Sequence, residues 1–151
     1  MQQGVFYVYL FFVSLFAKTS YVYTMGRNAL SEEYKTHVIP VKQPYFSFIE
    51  QGKKTWEGRL NRGRFLHIKQ GEFIRFTQAS RSCLCRIKSI CPFESFRAML
   101  SGEDEEGIPY YKLFIPKAYN IQEAEKVYLR FPGYREGQKK YGVVGLQLER
   151  Q

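Results

Sequence analysis

The sequence predicts an α+β fold, a small mixed β-barrel with peripheral helices. Three observations carry this. Short runs of alternating apolar and polar residues recur between residues 37 and 148, bounded by Gly, Asn or Pro. Longer stretches after Pro44, Pro92 and Asn120 instead repeat apolar residues at i, i+3 and i+4. A chain of 151 residues has room for one compact core. Short strands, tight turns and few helices in that length fit a small barrel.

The elements follow in order β-α-β-β-β-α-α-β. His37 to Val41 reads as a strand. Pro44 suits the first turn of a helix carrying Tyr45, Phe48 and Ile49, with Gly52 as its C′ residue. Lys54 to Leu60 reads as a strand ending in the turn Asn61-Arg62-Gly63, and Phe65 to Ile68 leaves room for a further short strand not counted in that order. Lys69-Gln70-Gly71-Glu72 is a turn into Phe73–Thr77, where Ile74 and Phe76 alternate with Arg75 and Thr77. In Cys83 to Ile90, the residues Cys83, Cys85 and Ile87 face the core, with Arg86 and Lys88 opposite. Pro92 opens a helix whose stripe is Phe93, Phe96, Met99 and Leu100, a core pattern. Glu103–Glu106 is an acidic, solvated loop. Asn120 and Glu123 form a capping box for a helix with Ala124, Tyr128 and Phe131 on one face, ended by Pro132-Gly133. Tyr141 to Leu148 closes the fold as a hydrophobic strand.

Charge is distributed unevenly. The formal charge is +9, yet residues 42–88 hold eleven Lys/Arg against three Glu, and residues 89–151 hold nine of each sign. Net basicity attracts polyanions, and its concentration in one segment locates where a phosphate backbone would dock. Aromatic residues make up 17% of the chain; most fill a small core, and exposed ones beside cations would stack on bases. Cys83, Cys85 and Cys91 form no disulfide framework and lack a zinc spacing, so they read as reduced core residues. That reading favours a cytoplasmic or nuclear setting. No metal or cofactor is expected.

The N-terminal 1–24 segment stands apart. Gly4 to Ala17 is an apolar run of 14 residues, short of the ~20 a membrane span needs. It reads as a signal or anchor, as a hydrophobic strand, or as a stretch outside the functional domain. No Lys or Arg precedes it. Met25 begins a polar lead-in over 25–36 and would serve as an alternative start. The functional domain is placed at 37–150, with no stable membrane span.

The densest chemistry is Gly52-Lys53-Lys54-Thr55-Trp56-Glu57-Gly58-Arg59. Ionisable groups this close are costly to bury together and natural on the wall of an anion-binding or acid/base cleft. Gly52-x-Lys54-x-x-Glu57-x-Arg59 resembles the G-x-K-x-x-E-x-R signature of the ASCH domain, the activating signal cointegrator homology family. The Pro44–Ile49 helix, the Gly71-Glu72 turn, the Phe93–Leu100 helix and the closing Tyr141-Gly142-Val143-Val144 strand follow in that family's order. The resemblance implies a PUA-like β-barrel with a cleft between barrel and helices, and RNA or other nucleic acid as partner. It also admits a small hydrolase, either a ribonuclease or an amidohydrolase on N4-acetylcytidine-type nucleosides. The amidohydrolase relatives pair a Lys with a Thr three residues later. Here Glu57 stands in that place, and Thr55 lies on the other step of the strand.

Two roles follow for the motif. In a binding cleft, Lys54 and Arg59 contact phosphate while Glu57 orients them. In a catalytic cleft, a desolvated Lys54 acts as base and Glu57 relays protons, with Thr55 the only nearby hydroxyl. Strict alternation puts Lys54 on the opposite face from Glu57 and Arg59, so it joins them only if the strand starts irregularly. Lys53, Arg62, Arg64, Lys69 and Arg75 are candidate phosphate contacts. Tyr45 and Ser47 would line the cleft, and Trp56 would pack in the core or stack at the mouth. His67 reads as a packed histidine. The plainer reading of the cluster is an ion-pair network without a ligand. A nucleotide-like small ligand is the remaining partner class.

Overall fold

The computed structural model describes residues 34–151. The 1–24 segment, with its three readings, and most of the 25–36 lead-in lie outside the described residues. The strands are β1 (Thr36–Pro40), β2 (Trp56–Leu60), β3 (Phe73–Gln78), β4 (Arg81–Phe93) and β5 (Val143–Arg150). The helices are α1 (Tyr45–Glu50), α2 (Phe96–Leu100), α3 (Tyr110–Phe114), α4 (Ile121–Leu129) and α5 (Tyr134–Tyr141). No helix among the described residues is long and apolar enough to cross a membrane.

All five strands join one mixed sheet in the order β1-β3-β4-β5-β2. β1 runs parallel to β3, and the remaining pairs are antiparallel. The sheet is a curled half-barrel whose edges, β1 and β2, flank a common cavity. One apolar cluster centres on Ile39, Phe46, Ile74, Phe76, Ile87 and Leu146. A second joins Trp56, Leu60 and Val143 to Phe96, Met99 and Phe114 of the helices. The strand alternation is as the sequence predicts: Cys83, Cys85 and Ile87 are buried, and Arg86 and Lys88 exposed. All three cysteines are free, and burial together with Cys83 beside it pushes the Cys85 thiol up to about 12.

Several local readings change. Phe65–Ile68 is not a strand; Gly63–Leu66 forms a 3₁₀ turn, tied to β1 by Arg64 Nη1 donating to Val38 O at 2.8 Å. Pro92 lies within β4, and the next helix begins only after Ser95, whose hydroxyl accepts from Ala98 N–H. The described ladder between β3 and β4 ends at Arg86, so Pro92 pairs with β5 alone and its missing N–H leaves no ladder bond unmade. Helices α3 and α5 were not read from the sequence: α3 has five residues, and α5, YREGQKKY, is strongly polar, with Gly137 at its centre. A Cβ there would sit 2.5 Å from Leu60 Cδ1, so the Leu60 side chain would have to shift. Tyr141 belongs to α5, not to the closing strand. Phe131 is exposed beyond the end of α4, whereas Ala124 and Tyr128 are buried. The Asn120 cap holds, its Oδ1 accepting from Glu123 N–H; Glu123 turns instead to the Tyr119 N–H. His67 is exposed, and the packed histidine is His37, 2.6 Å from Glu72 Oε2.

Candidate functional site

The site is built on the free edge of β2. The bonds Leu148 N–H to Thr55 O and Asn61 N–H to Gly142 O fix the hydrogen-bonding phase of β2 with β5. By alternation Glu57 and Arg59 pair their backbones with β5, while Trp56, Gly58 and Leu60 turn their peptide groups off the sheet. The outward Trp56 carbonyl is therefore available, and Lys54 Nζ donates to it at 2.7 Å.

Lys54 reaches that carbonyl because the strand starts late. Gly52 closes α1 with φ +71, and the Lys53 and Lys54 N–H groups both donate to Phe48 O at 2.8 and 3.0 Å. Thr55 N–H donates to Leu113 O at 3.2 Å. This irregular segment lifts Lys54 out of strand alternation. Its ammonium also donates to Phe114 O at 2.6 Å and lies 3.1 Å from Glu57 Oε2. All three ammonium protons thus have protein partners. Glu57 Oε1 lies 2.7 Å from Arg59 Nε, a charge contact whose N–H is not aligned on the oxygen. Lys54 and Glu57 are only 3% and 5% exposed.

Burial pushes the Lys54 ammonium below the usual lysine value, and the neighbouring Glu57 only partly restores it. Burial also pushes the Glu57 carboxyl up, but the cations of Lys54 and Arg59 outweigh it and hold the group below the usual carboxylate range. Glu57 is thus a fixed anion between two cations.

A cavity of about 580 Å³ opens on this edge. Lys54, Glu57, Gly58 and Arg59 form one wall. Val41 and Tyr45 face them from the β1–α1 region, and Thr77–Ala79 close the β3–β4 end. Tyr128, Phe131 and Tyr134 form the helical wall. Phe96 stacks on both Tyr128 (centroids 4.5 Å) and Tyr134 (5.4 Å) and so positions that wall. The Tyr128 hydroxyl is buried beside Gly58 without an aligned hydrogen-bond partner among the described residues. With Lys42, the lining carries three cations against one carboxylate.

A protein-family model described as the ASCH domain matches residues 39–150. The chain belongs to the ASCH family. Two solved structures are similar across the domain. The crystal structure of hypothetical protein PH0355 shares 32% identity over 78% of this chain and 100% of that one, with a TM-score of 0.65. The solution structure of protein PF0455 from Pyrococcus furiosus shares 31% over 77% and 97%, with a TM-score of 0.60. No curated protein matches the chain.

The ASCH signature positions Lys54, Glu57 and Arg59 converge in the cavity, and Tyr45 joins them. Other candidates lie elsewhere. Trp56 is in the core against Tyr110 and Phe114, because it occupies the opposite face of β2 from Glu57 and Arg59. Thr55 lies outside the cavity lining, its backbone engaged by α3 and β5. Ser47 also lies outside it and donates to Gln43 Oε1 at 2.9 Å. Lys53, Lys69 and Arg75 are exposed away from the cavity, and Arg62 and Arg64 line a second, smaller one. Tyr128 and Tyr134 were missed. The available signal was a tyrosine rather than a phenylalanine at the core-facing position 128, since a buried hydroxyl needs a partner.

Proposed function

We propose that this ASCH domain binds RNA by admitting a nucleotide into the cavity beside β2. The supporting observation is the convergence of Lys54, Glu57 and Arg59 on an open cavity of about 580 Å³ with a net positive lining. That volume falls within the ~300–1,000 Å³ of small-ligand sites. Arg59 turns Nε to Glu57, which leaves the outer edge of its guanidinium for a phosphate. Lys54 acts by holding Glu57 rather than by touching phosphate, since its donors are already used. The aromatic helical wall supplies a surface for a base.

The test is fluorescence anisotropy of a short single-stranded RNA from about 50 to 200 mM salt, the range over which phosphate contacts weaken steeply. Affinity falls with salt, and Arg59→Gln weakens binding and reduces the log–log slope by about one. Salt-independent binding, or binding indifferent to Arg59→Gln, contradicts the proposal.

One observation favours a hydrolase as the second reading: burial pushes Lys54 toward its neutral, basic form. The fixed ionisation of Glu57 opposes it, because a carboxylate held below its usual range is a poor proton acceptor. Incubation with N4-acetylcytidine and with a short RNA separates the two readings. The binding proposal expects no product from either, and product formation abolished by Lys54→Met supports the hydrolase.

A further inference from the structure

A second cavity of about 310 Å³ lies beside the first, lined by Leu60, Arg62, Gly63, Arg64, Phe65 and Tyr134. Tyr134 lines both cavities. Arg59, in the wall of the first, lies 5.9 Å from the Phe65 ring centroid, in the wall of the second. The two spaces therefore meet at Arg59 and Tyr134. No acidic residue lines the second cavity. Arg62 of that lining and Lys140 just beyond it lie 5.6 and 5.2 Å from the ring centroid of the half-exposed Tyr141. Arg64 is tied to Val38 O, whereas Arg62 and Lys140 make no ion pair among the described residues. The acidic residue nearest Lys140 in sequence, Glu136, is paired with Lys139 at 3.2 Å.

Resting on the RNA-binding reading of the first cavity, we infer that the two cavities take successive nucleotides of one single strand, with Tyr134 between them. Phe65 and Tyr134 offer aromatic surface to the second base, and Arg62 and Lys140 meet its phosphate. Bases reach two separate cavities only when they are unstacked and unpaired, so the ligand is single-stranded rather than duplex. The ligand class becomes an oligonucleotide of at least two residues, not a free mononucleotide.

The test compares a 5′-mononucleotide, a dinucleotide and a four-residue RNA by titration calorimetry. The proteins are the wild type and the Arg62→Ala/Lys140→Ala variant. Arg86→Ala/Lys88→Ala is the control; it removes equal charge from exposed β4 positions. The wild type binds the dinucleotide at least about 10-fold more tightly than the mononucleotide. Arg62→Ala/Lys140→Ala removes that gain and leaves mononucleotide affinity unchanged, while the control alters neither. Mononucleotide binding without a dinucleotide gain overturns the inference but spares the first-cavity reading. An equal loss in both double variants also overturns it, because general charge would then explain the effect. Failure of all three ligands to bind the wild type overturns both.

Discussion

Glu57 is the residue on which the site depends. It is a buried carboxylate between Lys54 at 3.1 Å and Arg59 at 2.7 Å. Glu57→Gln leaves two cations in place with their counter-charge removed. The expected loss, read by urea denaturation, is about 3–5 kcal/mol; a loss below 1 kcal/mol, roughly the worth of an exposed pair, contradicts the buried-pair account. The same carboxylate sets an acid limit. Its folded pKa lies below the unfolded value near ~4.3, so its stabilisation is complete above that value and disappears as pH falls through the folded one. Glu72 acts in the same direction: burial pushes it up, but its bonds to His37 and the Lys69 N–H outweigh that and hold it down. The urea midpoint should be flat near neutrality and fall below about pH 4, and less steeply in Glu57→Gln. Tyr128 behaves differently. Its hydroxyl has no aligned partner among the described residues, so Tyr128→Phe should keep or raise the melting temperature; a loss above about 1.5 kcal/mol would mean the hydroxyl is bonded after all.

At the scale of elements, the junctions matter most. Gly142 links α5 to β5 with φ +68 and ψ −168, a region open essentially to glycine. An added Cβ would also stand 3.0 Å from the Phe93 carbonyl, a backbone atom with no rotamer to yield. Gly142→Ala is expected to cost about 1–3 kcal/mol in chemical denaturation, and a neutral outcome contradicts that account. The strands were legible because each buries one face: Ile74 and Phe76, or Cys83, Cys85 and Ile87, alternate with exposed cations. Helix α1 was legible from Tyr45, Phe48, Ile49 and its Gly52 stop. Helices α3 and α5 were not, since α3 has only five residues and α5 holds only two large apolar residues, Tyr134 and Tyr141, one at each end. The miss bears on the site, because α3 supplies the Phe114 carbonyl that anchors Lys54 and α5 supplies Tyr134. The sequence thus showed that Lys54 needed an irregular strand start but not which carbonyls would hold it.

For the whole molecule, the basic excess of residues 42–88 is spread over more than one surface. Arg75, Arg86 and Lys88 are exposed on β3 and β4, while Lys42, Lys54 and Arg59 line the cavity between the two edge strands. Net charge therefore predicts attraction to polyanions, and only the open seam of the half-barrel gives that attraction a place. The central claim is that RNA occupies this seam. Its most direct test is titration of ¹⁵N-labelled protein with a short single-stranded RNA, following backbone amide shifts. The account predicts that the largest shifts fall on Gly58, Arg59, Tyr128 and Tyr134. Shifts confined to the exposed β3–β4 surface around Arg75, Arg86 and Lys88, with the cavity amides unmoved, would contradict it.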